Sequence, residues 1–171
     1  MKILFKKLVR KIYFAYLRLI GRAYLAMEAE LGIVVHRADG SLEDKGVVCR
    51  RVVTTAGVNY LVDAFQNTVE IEDFKYHGSG TGSVAEAVGD TALGAEVETR
   101  ATGSQAEGAT ANIYKTIGTI AYTATRAITE HGIFSAASVG TLWDRSVFAS
   151  INVVNCDSIE FTYQLTCRAW G

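Results

Sequence analysis

Three histidines, three cysteines and a glycine-rich hexapeptide are the residues of this chain with the most obvious chemical potential. His36, His77 and His131 do not fall in H-E-x-x-H or in any spacing that puts two imidazoles on one helix face, as a zinc site of that type requires. Glu130 and His131 are neighbours, and neighbours in a strand face opposite ways. The expected role of the histidines is therefore a hydrogen-bonded structural or interface one. Cys49, Cys156 and Cys167 contain no C-x-x-C pair, and an odd count without metal spacing argues against a disulfide framework or a zinc site. Reduced thiols, as in a cytoplasm, are the simpler reading. GSGTGS, from Gly78 to Ser83, lacks the Lys-Ser/Thr of a phosphate loop and a surrounding βαβ unit, so a flexible turn is expected. Asp73, Glu86, Asp90, Glu96 and Glu98 lack the dense alternation of a calcium loop and suggest a solvated acidic one. No G-x-S-x-G is present. These residues point to no catalytic site, no cofactor and no metal, and the expectation is a protein that is not an enzyme.

The elements that must position such residues are mainly β. The chain has 171 residues, 16 glycines and no proline, so its turns rely on Gly, Asn, Asp and Ser. GIVVHRA from Gly32 suggests a strand followed by the turn Ala38 to Ser41, and residues 46–55, GVVCRRVVTT, a second β-branched run. Thr54 or Thr55 offers an N-cap to one short helix, in which Val58, Leu61, Val62 and Phe65 share a face. DFKYHG suggests another strand, and the stretch from Gly78 to about Thr110 a long functional or partner-packed loop. Residues 111–125 and 141–154 read as long strands. In the second, Trp143, Arg145, Val147, Ala149 and Ile151 are assigned to one side, and Leu142, Asp144, Ser146, Phe148 and Ser150 to the other. The last strand alternates most regularly. Ile159, Phe161, Tyr163, Leu165, Cys167 and Ala169 point one way, which makes Cys167 a core thiol. The fold class expected is an antiparallel β-sandwich or jelly-roll-like domain over residues 32–171.

Residues 1–31 are assigned to a separate unit, a basic amphipathic α-helical arm. The first 27 residues hold seven basic and no acidic side chains, leaving ten basic against 18 acidic in the rest, a formal −8. Lys2, Lys6, Arg10, Arg18 and Arg22 recur at multiples of four, with Lys11 beside them. Leu4, Leu8, Ile12, Ala15 and Leu19 mark an apolar face. Arg18 interrupts the apolar stretch and no A-x-A follows, which argues against a signal peptide, and the segment is too charged to span a bilayer. With Tyr13 and Phe14, these basic residues are the candidate partner contacts. The arm is expected to pack on its own domain or a sister subunit, or to dock on an acidic protein surface. A membrane surface is a lesser possibility, and nothing in the arm specifies base recognition.

Two stretches carry a recurrent pattern. Residues 74–100 contain G-x-G-T-G at Gly78, Gly80 and Gly82, then D-T-A-L-x-x-E from Asp90 to Glu96. Residues 128–165 contain T-E-x-G-I-F with Glu130, His131 and Gly132, then L-x-x-R-x-x-F around Arg145, and a final strand opened by Asp157-Ser158. Together they resemble a group of small virion proteins of tailed bacteriophages, and the likeness spans residues 74–165 without the arm. The resemblance implies a structural role in a virion assembled in the host cytoplasm, with no catalysis, cofactor or small-molecule substrate. The first expectation is a capsid decoration (cement) subunit, a homotrimer or other homo-oligomer bound to the major capsid protein. The alternatives are a neck, tail or fibre-attachment part, or a peripheral membrane or surface-binding module using the basic helix. Within the pattern, Asp90 is expected to cap a helix or turn. Thr129, Glu130 and His131 are expected to fix a strand-to-turn junction before Gly132, and Arg145 to pair with Glu130 or Asp90.

Overall fold

The structure, a computed structural model, describes residues 24–170. The candidate contacts Lys2, Lys6, Arg10, Lys11, Tyr13, Phe14, Arg18 and Arg22 lie outside those residues, as does the helical arm assigned to them. The described chain is mainly β, in ten strands with one α-helix and a short 3-10 turn at Ile71–Asp73. In order these are β1 (Tyr24–His36), β2 (Leu42–Arg50), β3 (Val52–Val53), α1 (Thr55–Phe65), β4 (Tyr76–Gly80) and β5 (Glu96–Thr102). They continue with β6 (Ser104–Glu107), β7 (Ile113–Ala121), β8 (Arg126–Phe134), β9 (Leu142–Val153) and β10 (Ser158–Trp170). Two antiparallel five-stranded sheets result, β2-β1-β10-β7-β6 and β3-β9-β8-β4-β5, here called sheets A and B.

Alternation explains the sheets' shared core. Leu31, Ile33 and Val35 of β1 and Ile159 and Phe161 of β10 meet Ile128 of β8 and Phe148, Ile151 and Val153 of β9 in one buried cluster. Burying a side chain of this size contributes about 1.5–3 kcal/mol each. The opposite sides of β1 and β10 remain partly exposed, the one-wet-face pattern of an antiparallel sheet.

The helix forms where the sequence placed it. Thr54 caps it, its Oγ1 accepting from the Gly57 N–H at 2.9 Å and donating to the Leu142 carbonyl at 2.6 Å. Its apolar face is only partly buried: Leu61 packs against the core, but Val62 is 50% and Phe65 77% exposed.

Four assignments are corrected. Residues 24–31 are strand and not arm, pairing with Trp170 through Tyr163 on one side, with Glu30 and Leu31 also pairing Arg50 and Cys49 of β2. Leu, Ala, Met and Glu favour helices locally, but pairing with β10 along the whole segment, joined by β2 at Glu30 and Leu31, overrides that preference. The stretch from Gly78 to Thr110 is not one loop, since it holds the end of β4 and all of β5 and β6. β5 and β6 are edge strands, polar enough to show no alternating core face. In β9, register shifts reassign faces, so Trp143 turns into the core while Arg145 turns to the outer side of sheet B. Finally, no turn falls at Gly132, where β8 runs on through Phe134.

Candidate functional site

Two buried polar assemblies flank β8, one on each of its faces, because Glu130 and His131 point opposite ways as neighbours in a strand must. On the outer face of sheet B, Glu130 is fully buried. Its Oε1 accepts from the backbone N–H groups of Gly82 (2.9 Å) and Ala95 (2.8 Å), and its Oε2 from that of Gly94 (2.9 Å). The Arg145 guanidinium completes the shell, at 2.9 Å from Nε and 2.7 Å from Nη2 to Oε2. Arg145 then extends Nη1 to Asp90 Oδ2 at 2.8 Å and Nη2 to the Val84 carbonyl at 3.0 Å. One carboxylate and one guanidinium thus hold the segment 81–95 against the sheet. Burial pushes the Glu130 carboxyl up. The Gly94 and Ala95 amides, Arg145 and the Gly82 amide outweigh it, and the group ends below its usual range.

The glycines of GSGTGS serve this clamp. Gly78 and Gly80 belong to β4, paired with Gly132 and Glu130 of β8, so the segment is not a flexible turn. A Cβ on Gly80 would sit 2.5 Å from Glu130 Oε1 and from the Ala95 carbonyl, so only a glycine lets the carboxylate reach its amides. Asp90 caps a turn and not a helix. Its Oδ2 accepts from the Ala87 N–H at 2.9 Å, closing a turn behind itself. Thr129 donates to the Gly82 carbonyl at 2.8 Å. The expected solvated acidic loop is thus substantially bonded, with Glu96 also pairing Arg100 at 2.6 Å.

On the inner face, a polar chain runs between the sheets. Arg51 leaves β2 for β3 at the crossing from sheet A to sheet B, its N–H bonded to the Ala29 carbonyl at 3.1 Å. Its fully buried guanidinium bonds Asp144 Oδ1 at 2.7 Å, His131 Nδ1 at 2.8 Å and the His131 carbonyl at 3.1 Å, and lies over the Tyr163 ring. His131 Nε2 meets His77 Nδ1 at 3.1 Å, and His77 Nε2 meets Thr116 Oγ1 of β7 at 3.2 Å. Arginine can only donate, so His131 Nδ1 is the acceptor and its proton sits on Nε2. That proton points at His77 Nδ1, which places the His77 proton on Nε2, toward Thr116. The whole chain therefore has one direction and two neutral imidazoles.

The electrostatics agree with that reading. Burial and the Arg51 charge push His77 down to about 3, and burial, Arg51 and His77 hold His131 well below its ordinary value. Burial pushes the Asp144 carboxyl up despite the guanidinium against it. Thr116, His77, His131 and Asp144 are all 0% exposed, so the chain has no end at the surface. It orients the side chains that join the two sheets. Gly118 packs on His77 so closely that a Cβ would stand 2.5 Å from its Cδ2.

A pH dependence follows. A depressed histidine contributes stability that is complete above the unfolded value near 6.5 and is lost as pH falls from there toward the folded value. Unfolding free energy should therefore drop by about 1.4 kcal/mol per pH unit for each of the two imidazoles between roughly pH 6 and 4. Urea titrations at stepped pH measure this slope, and a flat profile down to pH 5 would show the imidazoles to be charged or exposed.

Among the described residues, no group of three or more His, Cys, Asp or Glu converges to hold a metal ion. None of their helices is long and apolar enough to cross a membrane. The cysteines are free, Cys49 and Cys167 half-buried and Cys156 exposed. Cys167 is thus not fully in the core, though burial still pushes its thiol up. His36 Nε2 is buried without a hydrogen-bond partner, unlike the bonded role expected of it. Sequence reasoning brought Glu130, Asp90 and Arg145 together but missed Arg51, His77 with Thr116, and Asp157. The last accepts from Ala38 (2.8 Å), Val154 (3.0 Å) and Arg37 (2.9 Å), tying the β1–β2 hairpin to the turn before β10. No protein-family model, no curated protein and no solved structure matches the chain.

Proposed function

We propose that this chain is a structural protein of a tailed-phage virion, a capsid decoration subunit of sandwich or jelly-roll type that acts by multivalent contact. The observation that carries the reading is how the fold presents Val139. This residue is 87% exposed and sits at φ 58°, a left-handed conformation that a β-branched side chain rarely adopts. Arg100 holds it there. Its Nη1 donates to the Val139 carbonyl at 2.5 Å and the Ala136 carbonyl at 3.1 Å. Its own guanidinium is fixed by both oxygens of Glu96 and by the Phe134 ring 3.3 Å beneath. Strain and an ion pair are thus committed to holding an apolar side chain in water, which suits a surface completed by a partner.

Val84 and Val88, 77% and 63% exposed, lie on the segment that the Glu130–Arg145 clamp holds to the same sheet. Exposed valines on ordered loops are available to a partner's apolar surface, and the reading requires them to act together on one face. The resemblance supplies its setting: the pattern residues Gly80, Gly82, Asp90, Glu130 and Arg145 converge on one clamp, so the pattern describes a single module. Many copies on a symmetric shell turn modest contacts into firm attachment, and a homotrimer at a three-fold position is the proposed state. Quantifying the chain in purified particles tests the reading, because a decoration subunit is present in numbers comparable with the shell protein and a neck or fibre part in far fewer.

A further inference from the structure

At the end of the core away from the β1–β2 hairpin, an apolar groove of about 480 Å³ opens between the sheets and α1. Trp143, Tyr163 and Leu165, all buried, form its floor, and Phe65, Leu25 and Ile71, each more than half exposed, frame its mouth. Hydrogen bonds brace it. Trp143 Nε1 of sheet B donates to Tyr163 Oη of sheet A at 2.7 Å. Tyr114 Oη of β7 donates to the Phe74 carbonyl at 2.8 Å and accepts from Gln105 Nε2 at 2.9 Å. The Phe74 ring is itself held between Tyr60 and Trp143, with ring centroids 4.5 and 4.9 Å away. Opposite walls are thus tied at a fixed separation, and the groove is preformed.

We propose that this groove binds the hydrocarbon chain of a free single-chain amphiphile with an uncharged head, of the long-chain alcohol class. Three observations select this occupant. First, chemistry: among the described residues the lining includes no charged side chain, and the polar atoms of its aromatic walls are turned to one another and to backbone. Such walls reward the burial of methylene groups and offer a charged group no counter-ion. Second, size: the groove is about three times the roughly 150 Å³ apolar cavity that takes up benzene, which gives room for roughly 12 to 18 chain carbons and too little for a two-chain lipid. Third, the mouth: three side chains supply far less than the roughly 800 Å² per partner that a stable protein interface buries.

The test titrates the full chain with hexanol, octanol, decanol and dodecanol, each below its solubility limit. Calorimetry should give one saturable site per chain, with affinity rising about three- to fourfold for each added methylene. Cys167 lines the groove and gives a native probe. With Cys49→Ala and Cys156→Ala in place, saturating dodecanol should slow maleimide labelling of Cys167 about tenfold or more. Cys167→Phe, which fills the groove from its wall, should weaken dodecanol binding by a similar factor, while the labelling arm leaves the groove unaltered. Absence of a saturable site across the series overturns the proposal, as does binding that leaves Cys167 labelling unchanged. Labelling that rises when the alcohol-free chain is diluted assigns the groove to a second copy and overturns it too. So does flotation with neutral phosphatidylcholine vesicles by a chain that takes up none of the free alcohols, which assigns the groove to a bilayer.

Discussion

Replacing Arg51 with methionine is expected to destabilise the fold by about 3–5 kcal/mol and to lower the thermal midpoint by about 10 °C. The loss of packing is minor, since methionine fills much of the same volume. The loss of pairing is not. Asp144, 0% exposed, keeps a buried carboxyl without its cation, and His131 Nδ1 loses the donor that set its tautomer. The hydrogen-bond direction through His77 to Thr116 then has nothing to fix it. Pairing Arg51→Met with Asp144→Leu removes both charges and should recover a large part of the loss, because a buried ion pair exchanged whole for apolar groups is near neutral. Urea unfolding of the two single variants and the double gives the coupling. Additive losses would mean that the guanidinium and the carboxylate do not interact as described.

Glu130→Gln is the second change with a large expected effect, although it alters one atom. Both oxygens of Glu130 accept, Oε1 from Gly82 and Ala95 and Oε2 from Gly94 and Arg145. Whichever way a glutamine amide turns, its NH₂ faces donors and leaves them buried without an acceptor. The cost should be about 3–5 kcal/mol, and the segment 81–95 should become the first site of proteolytic cleavage. Asp90→Asn is the informative contrast. Its side chain is 24% exposed, so losing that arm of the clamp should cost about 1 kcal/mol or less. Equal losses at the two positions would mean that Glu130 is not the centre of the clamp.

The clamp was legible because its residues are chemically incongruous where they fall. Arg145 falls in the recurrent pattern with Glu130 and Asp90, and a guanidinium in a strand of the sheet needs an anion. The structure gives it both. Arg51 was equally incongruous and was missed, because Arg50-Arg51 lies within a β-branched run. Neighbouring strand residues face opposite ways, so in a half-buried strand one of two adjacent arginines is directed at the core. Arg50 side chain, 75% exposed beside Glu30, is the outward one and Arg51 the inward one. His77 gave no local sign, since its partners Thr116 and His131 are 39 and 54 residues away.

Element type was read best where the period dominates local preference. β10 and α1 appear where alternation and the Thr54 cap placed them. The start of β1 was misread because Leu25 to Leu31 are good helix formers, and nothing local announces β10, which pairs all of them, or β2, which joins at Glu30 and Leu31. The glycines of GSGTGS were misread for a related reason. Glycine marks flexible turns and close approaches alike, and only Glu130, some 50 residues away, decides between them.

The central claim, a virion structural protein presenting apolar loops to a shell, is tested most directly by counting. Particles are purified from a phage lysate in which this chain is produced, and the chain is quantified against the major shell protein by isotope-dilution mass spectrometry. The account predicts a fixed ratio to the shell protein, of the order set by one subunit per local three-fold position, retained through repeated gradient purification. Absence of the chain from purified particles would contradict it.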